Sequence, residues 1–233
     1  MLLSTLKNCI ADFTALLYPD LCAACAHSLY KGEQLLCLQC LHQLPYTHFH
    51  QHQDNPVERM LWGRCTVGAA TSLLFFKKST RVQQIMHQIK YNGKQELGVK
   101  MGHLLGTALL DNERFKGIDS IVPVPLHPDK YQKRGYNQSE CFAKGIAETM
   151  ALDMLTTQLI RSKASETQTR KNRYQRYLNT EEVFQLQEPE QLYGKHVLLV
   201  DDVITTGATI EACVHALTEV DVKVSVASIA YAK

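Results

Sequence analysis

The sequence predicts an α/β fold with a mainly parallel sheet, preceded by a small cysteine-bearing module. Three features indicate this fold. An apolar run at residues 197–200 precedes two acids and a short Thr-Gly loop, strand-like and helix-like segments alternate between residues 66 and 150, and two Cys-x-x-Cys pairs lie near the N-terminus. We expect the module to occupy residues 1–60 and the α/β domain to occupy residues 61–233.

Composition restricts the class of protein. Hydrophobic residues make up 45% of the 233 residues, enough for a buried core, and a formal net charge of +2 gives no overall electrostatic reason to bind nucleic acid. The first 17 residues place apolar side chains on one helical stripe, which favours a docking helix over a signal peptide. No segment approaches a membrane-spanning length, so we expect no membrane contact and interpret the protein as cytoplasmic.

The N-terminal module contains two cysteine pairs, Cys22 with Cys25 and Cys37 with Cys40, separated by eleven residues. Each pair can present two thiolates, and four thiolates complete a tetrahedral Zn²⁺ site. We expect a structural Zn²⁺ that supplies much of the folding free energy of this short segment. A redox-active pair or disulfides are the alternatives. The remaining cysteines are expected to be small buried hydrophobes: Cys9, Cys65, Cys141 and Cys213.

Three histidines, His48, His50 and His52, alternate in a polar stretch that follows the cysteine pairs. A second metal site is conceivable there, but nothing in the pattern fixes the ligand geometry. We therefore interpret the stretch as a solvated linker.

The middle of the chain predicts a strand, two helices and a second strand. Residues 66–76 alternate as a strand does, and residues 118–122 form a short apolar run. Between them, a helix starts at Ser79 or Thr80 and ends at Gly93, and another spans residues 97–108.

A stiff, basic loop is expected after the second strand. Three prolines within six residues, at positions 123–128, argue against regular structure, and we expect the loop to continue to residue 138. Lys130, Lys133 and Arg134 would supply positive charge to a pyrophosphate, although a solvated turn is the alternative. Asn137 and Glu140 resemble a capping pair, which predicts a helix from there to about Met150.

A second basic segment, residues 161–179, has almost no apolar anchors. It could close on phosphate or contact single-stranded DNA, with Tyr174 and Tyr177 stacking on bases, and a disordered surface loop is the alternative. Its basic residues are Arg161, Lys163, Arg170, Lys171, Arg173 and Arg176.

Residues 197–209 are the most informative part of the sequence. The apolar run fits a strand covered on both faces, and Asp201 and Asp202 can serve one ligand only if the strand ends there and the chain turns. Gly207 permits a turn, and a helix begins near Ala208 or Thr209. Its free N–H groups, with the threonine hydroxyls, would attract an anion, so we predict a ribose 5-phosphate site here. An Asp-rich turn before a Thr-capped helix is the alternative.

This stretch closely resembles the phosphoribosyl-pyrophosphate signature of type I phosphoribosyltransferases. The resemblance implies a three-layer fold of that type, with Asp201 and Asp202 as catalytic residues that hold the ribose hydroxyls. It also implies Mg²⁺ bridging the pyrophosphate to the ribose. The residues implied to hold the 5-phosphate are Val203, Thr205, Thr206, Gly207, Ala208 and Thr209.

Further motifs resemble the ComF competence-protein family over nearly the whole chain. They are Ile89-Lys90-Tyr91 with Gly93, Pro123-Val124-Pro125 with the Arg134-Gly135-Tyr136-Asn137-Gln138 run, the spacing of residues 159–184, and the four-cysteine module. The resemblance implies a pyrophosphate loop at 122–137 and a closing loop at 163–179, although Lys171 stands where the family usually has leucine. The other substrate-binding residues implied are Lys90, Pro125, Lys130, Arg134, Gly135, Asn137 and Arg176.

Two hypotheses follow. The first is a phosphoribosyltransferase that uses phosphoribosyl pyrophosphate or another ribose phosphate, with Mg²⁺ and an unidentified acceptor. The second is a non-catalytic module for nucleotides or single-stranded DNA, with residues 161–179 as the DNA contact. The family resemblance implies a role in DNA uptake and natural transformation, with competence-machinery proteins as partners.

Overall fold

The α/β prediction is confirmed by the computed structural model, which describes residues 18–78, 80–162 and 183–232. The predicted N-terminal helix, the Ser79 cap and the basic loop at 163–179, including Arg176, lie outside the described residues. Within the described part of the chain, no helix combines the length and apolar character needed to cross a membrane.

The centre of the fold is a five-stranded, fully parallel sheet with strand order β1-β7-β6-β2-β3. A separate antiparallel hairpin joins β4 to β5. In chain order the strands are β1 Ala70–Phe76, β2 Ser120–Pro123, β3 Asp153–Met154, β4 Leu159–Ser162, β5 Val183–Leu186, β6 His196–Ile204 and β7 Lys223–Ala232.

Helices cover both faces of this sheet and produce three layers. One face packs against α3, α4, α6 and the cysteine module, and the other packs against α2, α7 and the hairpin. The helices are α1 Leu38–Gln43, α2 Pro56–Leu61, α3 Arg81–Tyr91, α4 Gln95–Leu110, α5 Pro128–Arg134, α6 Gln138–Met150 and α7 Ala208–Leu217. Short 3₁₀ turns lie at Phe49–Gln51, Glu113–Phe115 and Pro189–Gln191.

Glycines allow α4 and α6 to pack at unusually short range. A methyl group added at Gly102 would lie 2.8 Å from the Gly145 Cα and 2.9 Å from the Ile146 nitrogen, and closer still to the Phe142 carbonyl. Gly98 and Gly106 lie on the same side of α4 and face α6 in the same way. This packing places the start of α6 beside the end of the central strands.

The interpretation of the histidine stretch as a solvated linker is wrong. His50 is buried, and the segment around it is fixed to β1 by hydrogen bonds. The Asn55 amide donates to the Ala70 carbonyl at 2.8 Å, and the Glu58 carboxylate accepts from the Ala70 N–H at 3.0 Å. The alternating histidines gave no sign of these contacts, because the residues that make them, Asn55 and Glu58, follow the stretch. The division of the chain near residue 60 stays a prediction.

Two predicted element boundaries are also wrong. The proline-rich loop contains the helix α5, because Pro128 occupies its first turn, where a missing N–H costs nothing. Strand β6 does not end at Val200 but continues to Ile204, since it stays paired with β7 through Ile204 and Tyr231. Both changes alter the geometry of the predicted site.

Candidate functional site

The loops that follow β2 and β6 lie next to each other at one edge of the sheet. The two strands are parallel neighbours, with Pro123 paired to Val200, so their carboxyl ends point the same way. Ligands of open α/β sheets bind at this edge. The sequence-predicted residues must therefore be located relative to it.

Asp201 is a partly buried carboxylate near the end of β6. Its Oδ1 accepts from the Ser139 hydroxyl at 3.1 Å and from the Asp202 N–H at 2.8 Å. Burial, with the neighbouring Asp202 carboxylate, raises the pKa of Asp201 to about 7, although these two donors and Lys90 oppose the shift. Asp201 is thus an acid that exchanges its proton near neutral pH.

Asp202 faces a different neighbour. Its Oδ2 lies 2.8 Å from the Lys90 ammonium nitrogen at the end of α3. Asp201 accepts from Ser139 at the start of α6, whereas Asp202 pairs with Lys90 at the end of α3. The two acids are therefore held by separate helix ends, one from α6 and one from α3.

Lys90 also lines a basic cavity of about 290 Å³ between the end of α3 and α5. Arg134 crosses this cavity, with its guanidinium carbon 5.4 Å from the Tyr91 ring centre and its Nη1 2.6 Å from the Gln138 side-chain oxygen. Lys130 is exposed. The structure thus brings together predicted residues that are up to 44 positions apart in the chain. The lining residues are Lys90, Tyr91, Gly93, Lys130, Lys133, Arg134 and Tyr136.

The Thr-Gly loop connects β6 to α7. Gly207 has a φ of +77°, which favours glycine, and it supplies no side-chain cap to the helix that begins at Ala208. Thr205 and Thr206 are exposed, and Thr209 is partly exposed in the first turn of α7. The Thr206 hydroxyl accepts from the Ala208 N–H at 3.4 Å, so a threonine side chain already lies at the start of α7. Val203 instead packs against the core.

Asn137, Gly135 and Pro125 have structural contacts. The Asn137 side chain is buried, caps α6 by accepting from the Ser139 N–H at 3.1 Å and donates to the Val124 carbonyl at 3.0 Å. Gly135 ends α5 in a left-handed conformation with a φ of +77°. Pro125 lies partly buried between β2 and α5. These residues fix the shape of the loop that carries Lys130 and Arg134.

A turn that was not predicted from the sequence contacts the Thr-Gly loop. Arg64 donates from Nη1 to the Thr206 carbonyl at 2.6 Å and from Nε to the Glu211 carboxylate at 2.9 Å. A methyl group at Gly207 would lie 2.9 Å from the Met60 sulfur. No sequence signal could have shown this, because Arg64 precedes Thr206 by 142 positions.

The four paired cysteines converge at a second site, within the N-terminal module. Their sulfurs lie within 4.8 Å of one another, a cluster that could hold a metal ion. Burial would raise the pKa of the Cys22 thiol, but the N–H groups of Cys37, Ala24 and Cys25 lower it to about 6. Burial and the neighbouring cysteines raise the pKa of Cys40, because close thiolates repel without a cation.

Of the described lone cysteines, Cys141 and Cys213 are buried as expected, and Cys65 is partly exposed. Among the described residues, the four-cysteine group is the one that brings three or more metal-ligating side chains together, so the histidine stretch forms no comparable cluster.

Comparison with known proteins agrees with this geometry. The phosphoribosyl transferase domain family matches residues 136–233, which contain the Thr-Gly loop and the acid pair. The three-layer phosphoribosyltransferase-type fold preceded by a cysteine module is thus confirmed.

Relatives cover most of the chain. The DNA utilization protein YhgH of Salmonella typhimurium is 30% identical over 205 residues, 84% of this chain and 83% of the relative. The protein of the same name from Escherichia coli is 29% identical over 198 residues, 82% of this chain and 80% of the relative. The competence protein ComFC of Streptococcus pneumoniae is 29% identical over 163 residues, 70% of this chain and 68% of the relative. With this coverage, a phosphoribosyl transferase domain and the four-cysteine cluster, the chain belongs to the family of ComF competence proteins and YhgH DNA utilization proteins.

Proposed function

We propose that this protein binds phosphoribosyl pyrophosphate, or another ribose phosphate, at the carboxyl edge of its sheet and transfers the phosphoribosyl group to an acceptor. One observation carries the proposal. Lys90 belongs both to the acid pair, through its 2.8 Å contact with Asp202, and to the basic cavity beside α5. A single ligand with a sugar diol and a pyrophosphate would meet both features at once.

Each part of such a ligand has a matching partner. The 5-phosphate would lie at the start of α7, where Thr205 and Thr209 add hydroxyl donors to the helix N–H groups. Although β6 continues past the acids, their partners Ser139 and Lys90 belong to helices on one face of the sheet, so the ribose hydroxyls would donate to both Asp201 and Asp202. The pyrophosphate would occupy the basic cavity, where Lys130 and Arg134 supply positive charge.

The reaction would break the bond between ribose C1 and the pyrophosphate oxygen, and the bonding electron pair would leave with the pyrophosphate. The acceptor would supply the electron pair for the new bond to C1. Lys90, Lys130 and Arg134 would stabilise the negative charge that develops on the leaving pyrophosphate. Asp201 and Asp202 would hold the ring in position while C1 carries positive charge.

The proposal includes two metal ions, Mg²⁺ at the acid pair and Zn²⁺ at the four cysteines. Carboxylate oxygens suit Mg²⁺, and Asp201 and Asp202 would be the residues that hold it. When bound, Mg²⁺ would neutralise charge on the pyrophosphate. The clustered Cys22, Cys25, Cys37 and Cys40 sulfurs suit a structural Zn²⁺. We place the protein in the cytoplasm as part of this proposal.

Pyrophosphate release tests turnover. The protein would be incubated with phosphoribosyl pyrophosphate, Mg²⁺ and a panel of purine, pyrimidine and amide acceptors. We expect release with one acceptor, strongly reduced in Arg134→Ala and unchanged in Lys116→Ala, whose side chain pairs with Glu113 before β2. No release with any acceptor would rule out turnover under those conditions.

A second candidate function is non-catalytic binding of single-stranded DNA. Two exposed aromatic rings, Tyr91 and Tyr131, flank the exposed Lys130 and Lys133, a combination that suits base stacking along a charged backbone. The name of the YhgH relatives, DNA utilization protein, also favours it. By this proposal the protein would handle incoming single strands together with competence-machinery proteins.

Anisotropy with a labelled oligonucleotide tests this candidate. We expect weaker binding in Tyr91→Ala and in a triple Arg170→Ala, Arg173→Ala, Arg176→Ala variant, with Tyr193→Ala, another exposed tyrosine, as the control. Unchanged binding in the triple variant would exclude residues 161–179 as the contact.

A further inference from the structure

The turn between α2 and β1 lies directly against the Thr-Gly loop. Its Arg64 makes three contacts with two residues there: Nη1 donates to the Thr206 carbonyl at 2.6 Å, Nε donates to Glu211 at 2.9 Å, and Nη2 also pairs with Glu211. Met60, near the end of α2, lies against Gly207. One side chain therefore ties the loop to the first turn of α7.

The contact with Thr206 determines which way the next amide points. In a trans peptide the carbonyl and the following N–H point in opposite directions. Because Arg64 holds the Thr206 carbonyl, the Gly207 N–H is directed away from Arg64. The left-handed Gly207, with its φ of +77°, then starts α7 at Ala208. The brace thus sets the direction of the loop amides.

The contact with Glu211 changes the local charge. Glu211 lies in the first turn of α7, the region that would receive a phosphate. A carboxylate there would repel an anion, and Arg64 neutralises it. The pair is about one third exposed, with side-chain exposures of 33% and 29%, so its contribution to stability is small. The pair therefore affects the charge beside the loop more than it affects the stability of the protein.

We propose that Arg64 is a positioning residue for anion binding, which aligns the 205–209 loop through the Thr206 carbonyl and cancels the charge of Glu211. This inference rests on the proposed function, because it assumes that the loop receives the phosphate of a ribose phosphate. Arg64 itself need not touch that ligand.

Calorimetry with ribose 5-phosphate tests the proposal by a double-mutant cycle. We expect about tenfold weaker binding in Arg64→Ala, equivalent to about 1.4 kcal/mol. Glu211→Gln should bind at least as tightly as the wild type. The double variant Arg64→Ala/Glu211→Gln should recover only part of the loss, because the charge is gone but the Thr206 carbonyl is still released.

Thermal unfolding of the same variants separates positioning from stability. A purely structural role would lower the melting temperature and leave the affinity of the folded protein unchanged, and that result would overturn the inference. Arg64→Lys covers the case in which Arg64→Ala does not fold. Lysine keeps the charge but cannot serve Thr206 and Glu211 together, so we expect a loss smaller than tenfold.

The two levels of the proposal fail differently. If the wild type binds no ribose 5-phosphate, both the proposed function and this inference are overturned. If the wild type binds ribose 5-phosphate, and Arg64→Lys and Arg64→Ala both bind it as tightly as the wild type does, only the role of Arg64 is overturned.

Discussion

Asp201 links the protonation of the site to folding. Its pKa in the folded protein is about 7, raised by burial and by Asp202 from the ordinary value of 3.8. Between these two values the folded protein binds more protons at this residue than the unfolded chain does. The contribution of Asp201 to the free energy of unfolding must therefore fall as pH rises from about 4 to about 7.

The Asp201→Asn variant should remove this pH dependence. Asparagine can still accept from Ser139 and from the Asp202 N–H, but it carries no charge at any pH. We expect the unliganded variant to be more stable than the wild type by about 1–3 kcal/mol at pH 8, with the gain disappearing near pH 4. Urea unfolding at several pH values measures it, with the exposed-acid variant Asp221→Asn as control. A gain of the same size at both pH values would contradict this account.

Gly207 is required by both its backbone and its surroundings. Gly207→Ala would combine a left-handed conformation with a methyl group 2.9 Å from the Met60 sulfur, so we expect a loss of about 2–4 kcal/mol. Gly194→Ala is the matched control, because Gly194 has a φ of +68° but open space around it and should lose only about 1 kcal/mol. Equal losses in the two variants, measured by urea unfolding, would show that Met60 does not restrict the loop.

Among the elements, the α4–α6 pair is the contact most sensitive to side-chain size. The glycines of α4 recur every fourth residue, at 98, 102 and 106, and Gly145 faces them from α6. Because backbone atoms of the two helices are in direct contact, the helices leave no space for a larger side chain at these positions. The position of Ser139, and through it of Asp201, depends on this packing.

Gly102→Ala should therefore destabilise the protein by more than about 3 kcal/mol, although alanine favours a helix over glycine by about 1 kcal/mol. Gly106→Ala is the control on the same helix side, because its methyl group would meet the Thr149 side chain rather than backbone atoms. We expect a clearly smaller loss there. Chemical unfolding of both variants compares them, and similar losses would contradict backbone contact as the cause.

Local patterns predicted most elements, and long-range contacts explain the errors. The apolar run before Asp201, the Asn137–Glu140 cap and the cysteine pairs each carry their signal within a few residues, and all three are found. The extension of β6 to Ile204 depends on pairing with β7, and the burial of His50 depends on β1. Arg64 carries no local signal at all. The four-residue glycine spacing of α4 was visible in the sequence and could have predicted the close helix contact.

At the scale of the whole molecule, the cysteine module is part of the main core. Cys22, Cys37 and Cys40 belong to the same apolar cluster as Leu97 and Met101 of α4. Arg81 at the start of α3 also donates to Gln43 at the end of α1 at 2.6 Å. Loss of a metal from this module should therefore weaken the α/β domain as well.

We expect one Zn²⁺ per chain in the purified protein, measured by elemental analysis. Cys40→Ser should abolish the bound zinc and lower the melting temperature by about 5–10 °C, because metal binding supplies folding free energy. Cys65→Ser, at a lone and partly exposed cysteine, should retain the bound zinc and the melting temperature of the wild type. Full zinc content in Cys40→Ser would contradict a four-thiolate site.

The most direct measurement is calorimetric titration of the protein with phosphoribosyl pyrophosphate in the presence of Mg²⁺, comparing the wild type with Asp201→Asn/Asp202→Asn. We predict one ligand per chain for the wild type and at least about tenfold weaker binding for the double variant, a loss of about 1.4 kcal/mol or more. Absence of binding by the wild type, or equal affinity in the two proteins, would contradict the placement of a ribose phosphate beside the acid pair.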